Sequence, residues 1–195
     1  MPETEINPLL ERSLPIPFHR IRPEHVVPGV RAAVAEAEAE LAELIGSGGE
    51  RTYTSTVGRL EEISERLARV IRPASTLSTV MNTPEMRAAY DTVVPEFSAF
   101  FARIPLNAEL WAAVRAAAES DEARALTGVH RRHLEKTLRA FRRAGADLPP
   151  ETKARVKAMQ LLDDDGKEEH IVDAMMFLTS SRATFITHSE TSPVT

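Results

Sequence analysis

The chain has 195 residues, no cysteine and a formal net charge of −5, with 43% apolar and 27% charged residues. These values exclude a disulfide framework, thiolate metal ligation and a cysteine nucleophile, and the acidic balance speaks against a whole-molecule nucleic-acid binder. The apolar share is that of a globular chain long enough to bury a core.

The opening MPETEINPLLERSLPIPF is acidic and broken by proline, without the basic-then-apolar order of a signal peptide. No run reaches the ~18 uninterrupted apolar residues of a membrane span, so the expectation is a soluble cytoplasmic protein with no membrane partner. Pro8, Pro15, Pro17 and Pro23 make residues 1–23 an extended lead-in.

A first helix is predicted from about Glu24, with Pro28 in its first turn, where a missing N–H does no harm. Val26, Val30, Val34, Ala37, Leu41 and Leu44 mark its apolar face, and Glu36, Glu38, Glu40 and Glu43 lie mostly opposite. Gly46, Gly48 and Gly49 end it. A second helix runs from about Thr56 on Val57, Leu60, Ile63, Leu67, Val70 and Ile71, and Pro73 is expected to bend or stop it. Thr83-Pro84-Glu85 opens a third helix: a hydroxyl cap, proline at the first position and an acid at the positive end of the dipole. Its stripe is Met86, Ala89/Tyr90, Val93, Phe97 and Phe100/Phe101, with a kink expected at Pro95.

Asn107 caps a short fourth helix with Leu110, Trp111 and Val114. A fifth is predicted from about Asp121 to Ala144, carrying Leu126, Val129, His133, Leu134, Thr137, Leu138 and Phe141 on one side and stopped by Gly145. Pro149 and Pro150 open a sixth, followed to about Leu162. No hairpin signal and no 20–50-residue repeat is present. The fold class is therefore all-α, a bundle-like domain of antiparallel helices at 24–160, followed by a divergent tail at 161–195.

A zinc-peptidase helix needs His-Glu-x-x-His, two imidazoles one turn apart with the glutamate as general base. Here His19, His25, His130, His133, His170 and His188 are followed by Arg, Val, Arg, Leu, Ile and Ser. No histidine precedes a glutamate. His130-Arg-Arg-His133 pairs two imidazoles on one turn, but flanking arginines repel a dication and no carboxylate sits at the right spacing, so their role reads as structural or solvated. Glu169, His170 and Asp173, together with Asp163, Asp164 and Asp165, read as a solvated acidic turn. With Gly166 at the sixth position of a calcium loop, Leu161 and Val172 would fall at the first and twelfth, and neither ligates. A hydrolase built on His130, His133 and that acidic cluster is the reading these negatives disfavour. No Gly-x-Ser-x-Gly elbow or phosphate-binding glycine loop occurs. Arg131, Arg132, Lys136, Arg139, Arg142 and Arg143 read as a solvated surface facing the acidic first helix rather than as a nucleic-acid interface. No catalytic, cofactor-binding or metal-binding residue is assigned.

Five stretches carry a resemblance. They are "NPLL" at 7–10, "PFHRIRPEHVVPGVRAAVAEAEAEL" at 17–41, "TYTSTVGRLEEISERLARV" at 52–70, "STLSTVMNTPEMRAAYDTVVPEFSAF" at 75–100 and "LEKTLRAFRRAGADLPPETKARVKAMQ" at 134–160. In this order and spacing they resemble the N-terminal region of the oligopeptidase A-type zinc metallopeptidases, the thimet-oligopeptidase family. The resemblance implies an all-helical wall of a channel that admits short peptides. The zinc helix of such enzymes lies in a later part, whose residues match no position here. It implies zinc and short-peptide substrates for the full-length family, no cofactor in this chain, and a separately encoded catalytic part as a possible partner. Leu161–Thr195 departs from the pattern and is rich in Ser and Thr, poor helix formers. The expectation is a reading frame cut short, with a last segment out of frame or disordered. The alternative reading is a stand-alone helical module that binds a peptide or protein.

Overall fold

The computed structural model describes residues 6–12, 14–149 and Thr152. Among these there is no strand. The elements are a 3₁₀ turn at Phe18–Arg20, α1 (Pro23–Gly46), a π-helical segment (Tyr53–Gly58), α2 (Arg59–Val80), α3 (Pro84–Arg103), α4 (Ala108–Ala118), α5 (Asp121–Ala125) and α6 (Gly128–Arg143). The all-α class follows directly. Apart from Pro149 and the helical Thr152, the predicted sixth helix and the tail at 161–195 lie outside the described residues.

Two compact units emerge: Met1–Glu43 with Glu65–Phe100, and Leu44–Ser64 with Phe101–Thr195. In the first, Val26, Val30, Ala37 and Leu41 of α1 are buried, as are Leu67, Val70 and Ile71 of α2 and Met86, Tyr90, Val93, Phe97 and Phe100 of α3. Val34 is only half-buried, and Ala33 takes the core position. The lead-in is partly docked. Asn7 donates its side-chain amide to the His25 carbonyl at 2.8 Å, and its own oxygen accepts from the Leu9 N–H at 3.0 Å. Leu9 is buried, and its Cβ would lie 3.2 Å from a methyl added at Gly29. Hydrophilic ties sit on the surface of this unit: Arg31 forks onto both Glu96 oxygens at 2.7–3.0 Å, and Arg66 pairs with Glu40.

The helices run through their internal prolines. α1 begins at Pro23, so Pro28 falls beyond the first turn, where its missing N–H forfeits a helical bond. Of the bend or stop expected at Pro73, the stop does not occur: α2 runs on to Val80. Buried Val70, Ile71, Ala74 and Leu77 on both sides of Pro73 hold the helix together where local preference would end it. α3 likewise continues through Pro95.

In the second unit, α4 packs on the π-helical segment, on α5 and on α6. Asn107 accepts from the Leu110 N–H at 2.9 Å, the expected N-cap. The long fifth helix predicted over Asp121–Ala144 is instead two. Leu126 and Thr127 are extended, and Gly128 opens α6 at φ +57°. The buried stripe shifts accordingly: His133, Leu134, Thr137, Ala140 and Phe141 are buried, Leu126 and Leu138 are half-buried, and Val129 is exposed. α6 ends in a Schellman motif. The Ala146 N–H donates to the Phe141 carbonyl at 2.9 Å and that of Gly145, at φ +96°, to Arg142 at 3.0 Å. The last carbonyls of α1 are served differently, by Arg51. Its guanidinium donates to the carbonyls of Leu44, Ile45 and Ser47 at 2.7–2.8 Å.

Candidate functional site

The second unit holds a buried polar cluster. The π-helical segment is opened by a reciprocal capping box: Thr52 Oγ1 accepts from the Ser55 N–H and Ser55 Oγ from the Thr52 N–H. That start fixes the backbone at Tyr53 and sends its ring toward α6. There the spacing of three between His130 and His133 places both imidazoles on one helical face. The Tyr53 hydroxyl lies 3.0 Å from Nδ1 of His133 and 3.2 Å from Nδ1 of His130. Both rings stand edge-on to the phenol. Glu61, near the start of α2, brings Oε2 to 3.6 Å from Nδ1 of His133. Tyr53 and His133 are each 7% exposed, whereas His130 faces solvent.

The arrangement fixes where hydrogens go. A phenol carries one hydrogen, so with both rings neutral one Nδ1 must accept it and the other must donate to the oxygen. The Glu61 carboxylate favours the proton on Nδ1 of His133, which gives the order His133 N–H to Tyr53 O–H to His130 Nδ1. Burial pushes the His133 imidazole below its ordinary value. Glu61 opposes that push, and His130 and Lys136 add to it. Burial raises the Tyr53 phenol, and Glu61 and Glu122 raise it further. Hydrogen bonds from Thr52 and Thr54 hold the Glu122 carboxyl below its usual range, and the Thr54 hydroxyl donates to it at 2.5 Å.

A second anchor lies at the end of α6. Trp111 stacks on Phe141 with centroids 5.6 Å apart and donates its indole N–H to Asp147 at 2.9 Å. Arg115 and Arg142 lie over the indole at 5.6 and 6.0 Å.

Of the sequence candidates, His130 and His133 are brought together, but around a tyrosine. Glu169, His170, Asp173 and the aspartates at 163–165 lie outside the described residues. In the basic stretch, Arg131 pairs with Glu135 at 2.9 Å and Arg142 with Asp147 at 3.7 Å. Tyr53 and Glu61 were not singled out from the sequence, since Tyr53 precedes the expected helix start and sits 77 and 80 residues from its partners. Among the described residues, no three His, Asp or Glu side chains are grouped to hold a metal ion. The donor set of the cluster does not fit zinc, because both ring nitrogens that converge are engaged by the phenol. The cluster can share and store a proton.

Among the described residues the regular structure is helical throughout, with a buried polar cluster in the second unit. The chain belongs to the neurolysin/thimet oligopeptidase N-terminal domain family, which matches it over residues 30–153. Oligopeptidase A of Salmonella typhimurium (strain LT2) is 33% identical over 150 residues, 76% of this chain and 22% of that protein. Oligopeptidase A of Escherichia coli (strain K12) is 31% identical over 149 residues, again 76% and 22%. A probable cytosolic oligopeptidase A of Arabidopsis thaliana is 32% identical over 163 residues, 84% of this chain and 21% of its own length. The chain thus spans about a fifth of the length of these relatives.

Proposed function

We propose that these residues serve as the N-terminal helical part of an oligopeptidase A-like peptidase, shaping access for short peptides in the cytoplasm rather than cleaving bonds. The observation that carries this reading is the family match over 30–153 in a sequence where no histidine precedes a glutamate. Peptide hydrolysis in the family is metal-assisted, and that step needs a helix whose imidazoles and acid share one turn. The 195 residues supply no such turn and bind no catalytic zinc or other cofactor in this reading. The test is the pure chain, assayed on fluorogenic oligopeptides with added zinc. Turnover should stay at background. Cleavage abolished by a chelator would overturn the reading, as would zinc retained in stoichiometric amount through purification.

One observation favours a second reading as an interaction module. Val80, the last residue of α2, and Met81 after it are 74% and 52% exposed. Capture of the C-terminal part of an oligopeptidase by the immobilised chain supports the first reading. Capture only of proteins unrelated to peptidases supports the second.

A further inference from the structure

The Tyr53 hydroxyl is held between two imidazoles that tolerate one added proton and not two. One added proton is accommodated on either ring: on His133 the order stands, and on His130 it reverses, His130 Nδ1–H donating to the phenol oxygen and the phenol O–H to a bare Nδ1 on His133. With both charged, each Nδ1 is a donor aimed at the same oxygen, 3.2 and 3.0 Å away. The phenol hydrogen then has no acceptor on either ring, at a site where Tyr53 is 7% exposed. A buried donor stripped of its acceptor is costly, and two adjacent cations repel.

We propose that Tyr53, His130 and His133 form an acid-released latch, which pins the π-helical segment to α6 while at least one imidazole is neutral and lets go when both are protonated.

The surrounding charges set its threshold. Glu61 of α2 stabilises the second proton at 3.6 Å. Lys136, on the same helix as the two rings, opposes it. Glu122 of α5 acts on Tyr53 and is itself tied to Thr54 of the segment. The charged residues of α4, Glu109 and Arg115, are exposed, and Arg115 is placed over Trp111. Burial holds His133 below its ordinary imidazole value, so release falls below the range in which an ordinary solvated histidine titrates.

Hydrogen exchange in the full 195-residue chain tests this. Protection at residues 53–58 is followed from about pH 8 to about pH 5, corrected for intrinsic exchange, with residues 84–100 of α3 as the internal reference. The expected result is a loss of protection of about tenfold at 53–58 on acidification, with the reference unchanged. His130→Asn, whose amide oxygen stands near the place of Nδ1 and accepts the phenol hydrogen at every pH, should abolish the loss. Its exposed position keeps the variant folded. Tyr53→Phe should show low, pH-independent protection. The proposal is overturned if wild-type protection at 53–58 does not change, or if the loss persists in His130→Asn. It is equally overturned if Tyr53→Phe retains the wild-type pH profile, or if the reference loses protection in parallel.

Discussion

The two compact units are stabilised by different means. In the first, apolar side chains fill the interior, and the polar ties, such as Arg31 on Glu96 and Arg12 on Glu36, sit on the outside. In the second, polar groups enter the interior: the Tyr53–His133 pair, and Thr56, which is fully buried and whose hydroxyl makes no hydrogen bond among the described residues. Surface ion pairs contribute little and forgive mutation, whereas buried polar groups are costly when their partners change. The first unit should therefore respond chiefly to volume, and the second to volume, charge and pH near neutrality.

The sharpest way to break that contrast is to remove one large aromatic from each unit. Phe97→Ala and Phe141→Ala, at 0% and 1% exposure, should each cost about 3–5 kcal/mol by denaturant unfolding. Phe141→Ala should in addition quench the environment of Trp111, read by its fluorescence, because the two rings stack. Gly145→Ala comes next. A Cβ there would lie 2.7 Å from Cδ1 of Leu148, a side chain 38% exposed that can swing aside. The φ of +96° remains, and the loss should be about 1–2 kcal/mol, read from the same unfolding curves. Thr56→Val should go the other way and stabilise by roughly 1 kcal/mol, since the buried hydroxyl gives nothing back for its desolvation. A destabilised Thr56→Val would show that the hydroxyl has a partner in solution.

The smallest effect, and the most diagnostic, comes with pH. His133 titrates lower in the folded chain than unfolded, so its contribution is intact above the ordinary imidazole value of about 6.5 and declines as pH falls toward the folded value. In the first unit, the hydrogen bond from Arg31 holds Glu96 below the carboxylate range, so that contribution is present above about pH 4.3 and disappears only as pH falls further. Amide exchange followed by unit should show the second weakening first on acidification. The reverse order would erase the distinction.

Much of this was legible in the sequence, and the failures share a cause. α1 to α4 follow from apolar spacing and from caps such as Asn107, both of which act within a few residues. The break at Leu126–Thr127 was missed because apolar spacing continued across it, and a single glycine in a helical pattern is usually tolerated. Here Gly128 takes a left-handed conformation, and the stripe resets with it. At Pro73, of the expected bend or stop, the stop fails because packing on both sides carries α2 past it. The histidine pair on α6 was visible from its spacing. The tyrosine between the rings was not, because chain separation of that order leaves no local pattern, and only the fold brings it there.

The way Arg51 closes the end of α1 has a practical corollary. With the guanidinium holding three carbonyls, one of them that of Ser47, methyls added at the three glycines of Gly46-Ser-Gly-Gly49 would touch nothing within 4 Å. Foreign sequence should be accommodated there, so a fluorophore tag or an epitope spliced after Gly48 would report on the molecule without disturbing either helix beside it, provided Arg51 is kept.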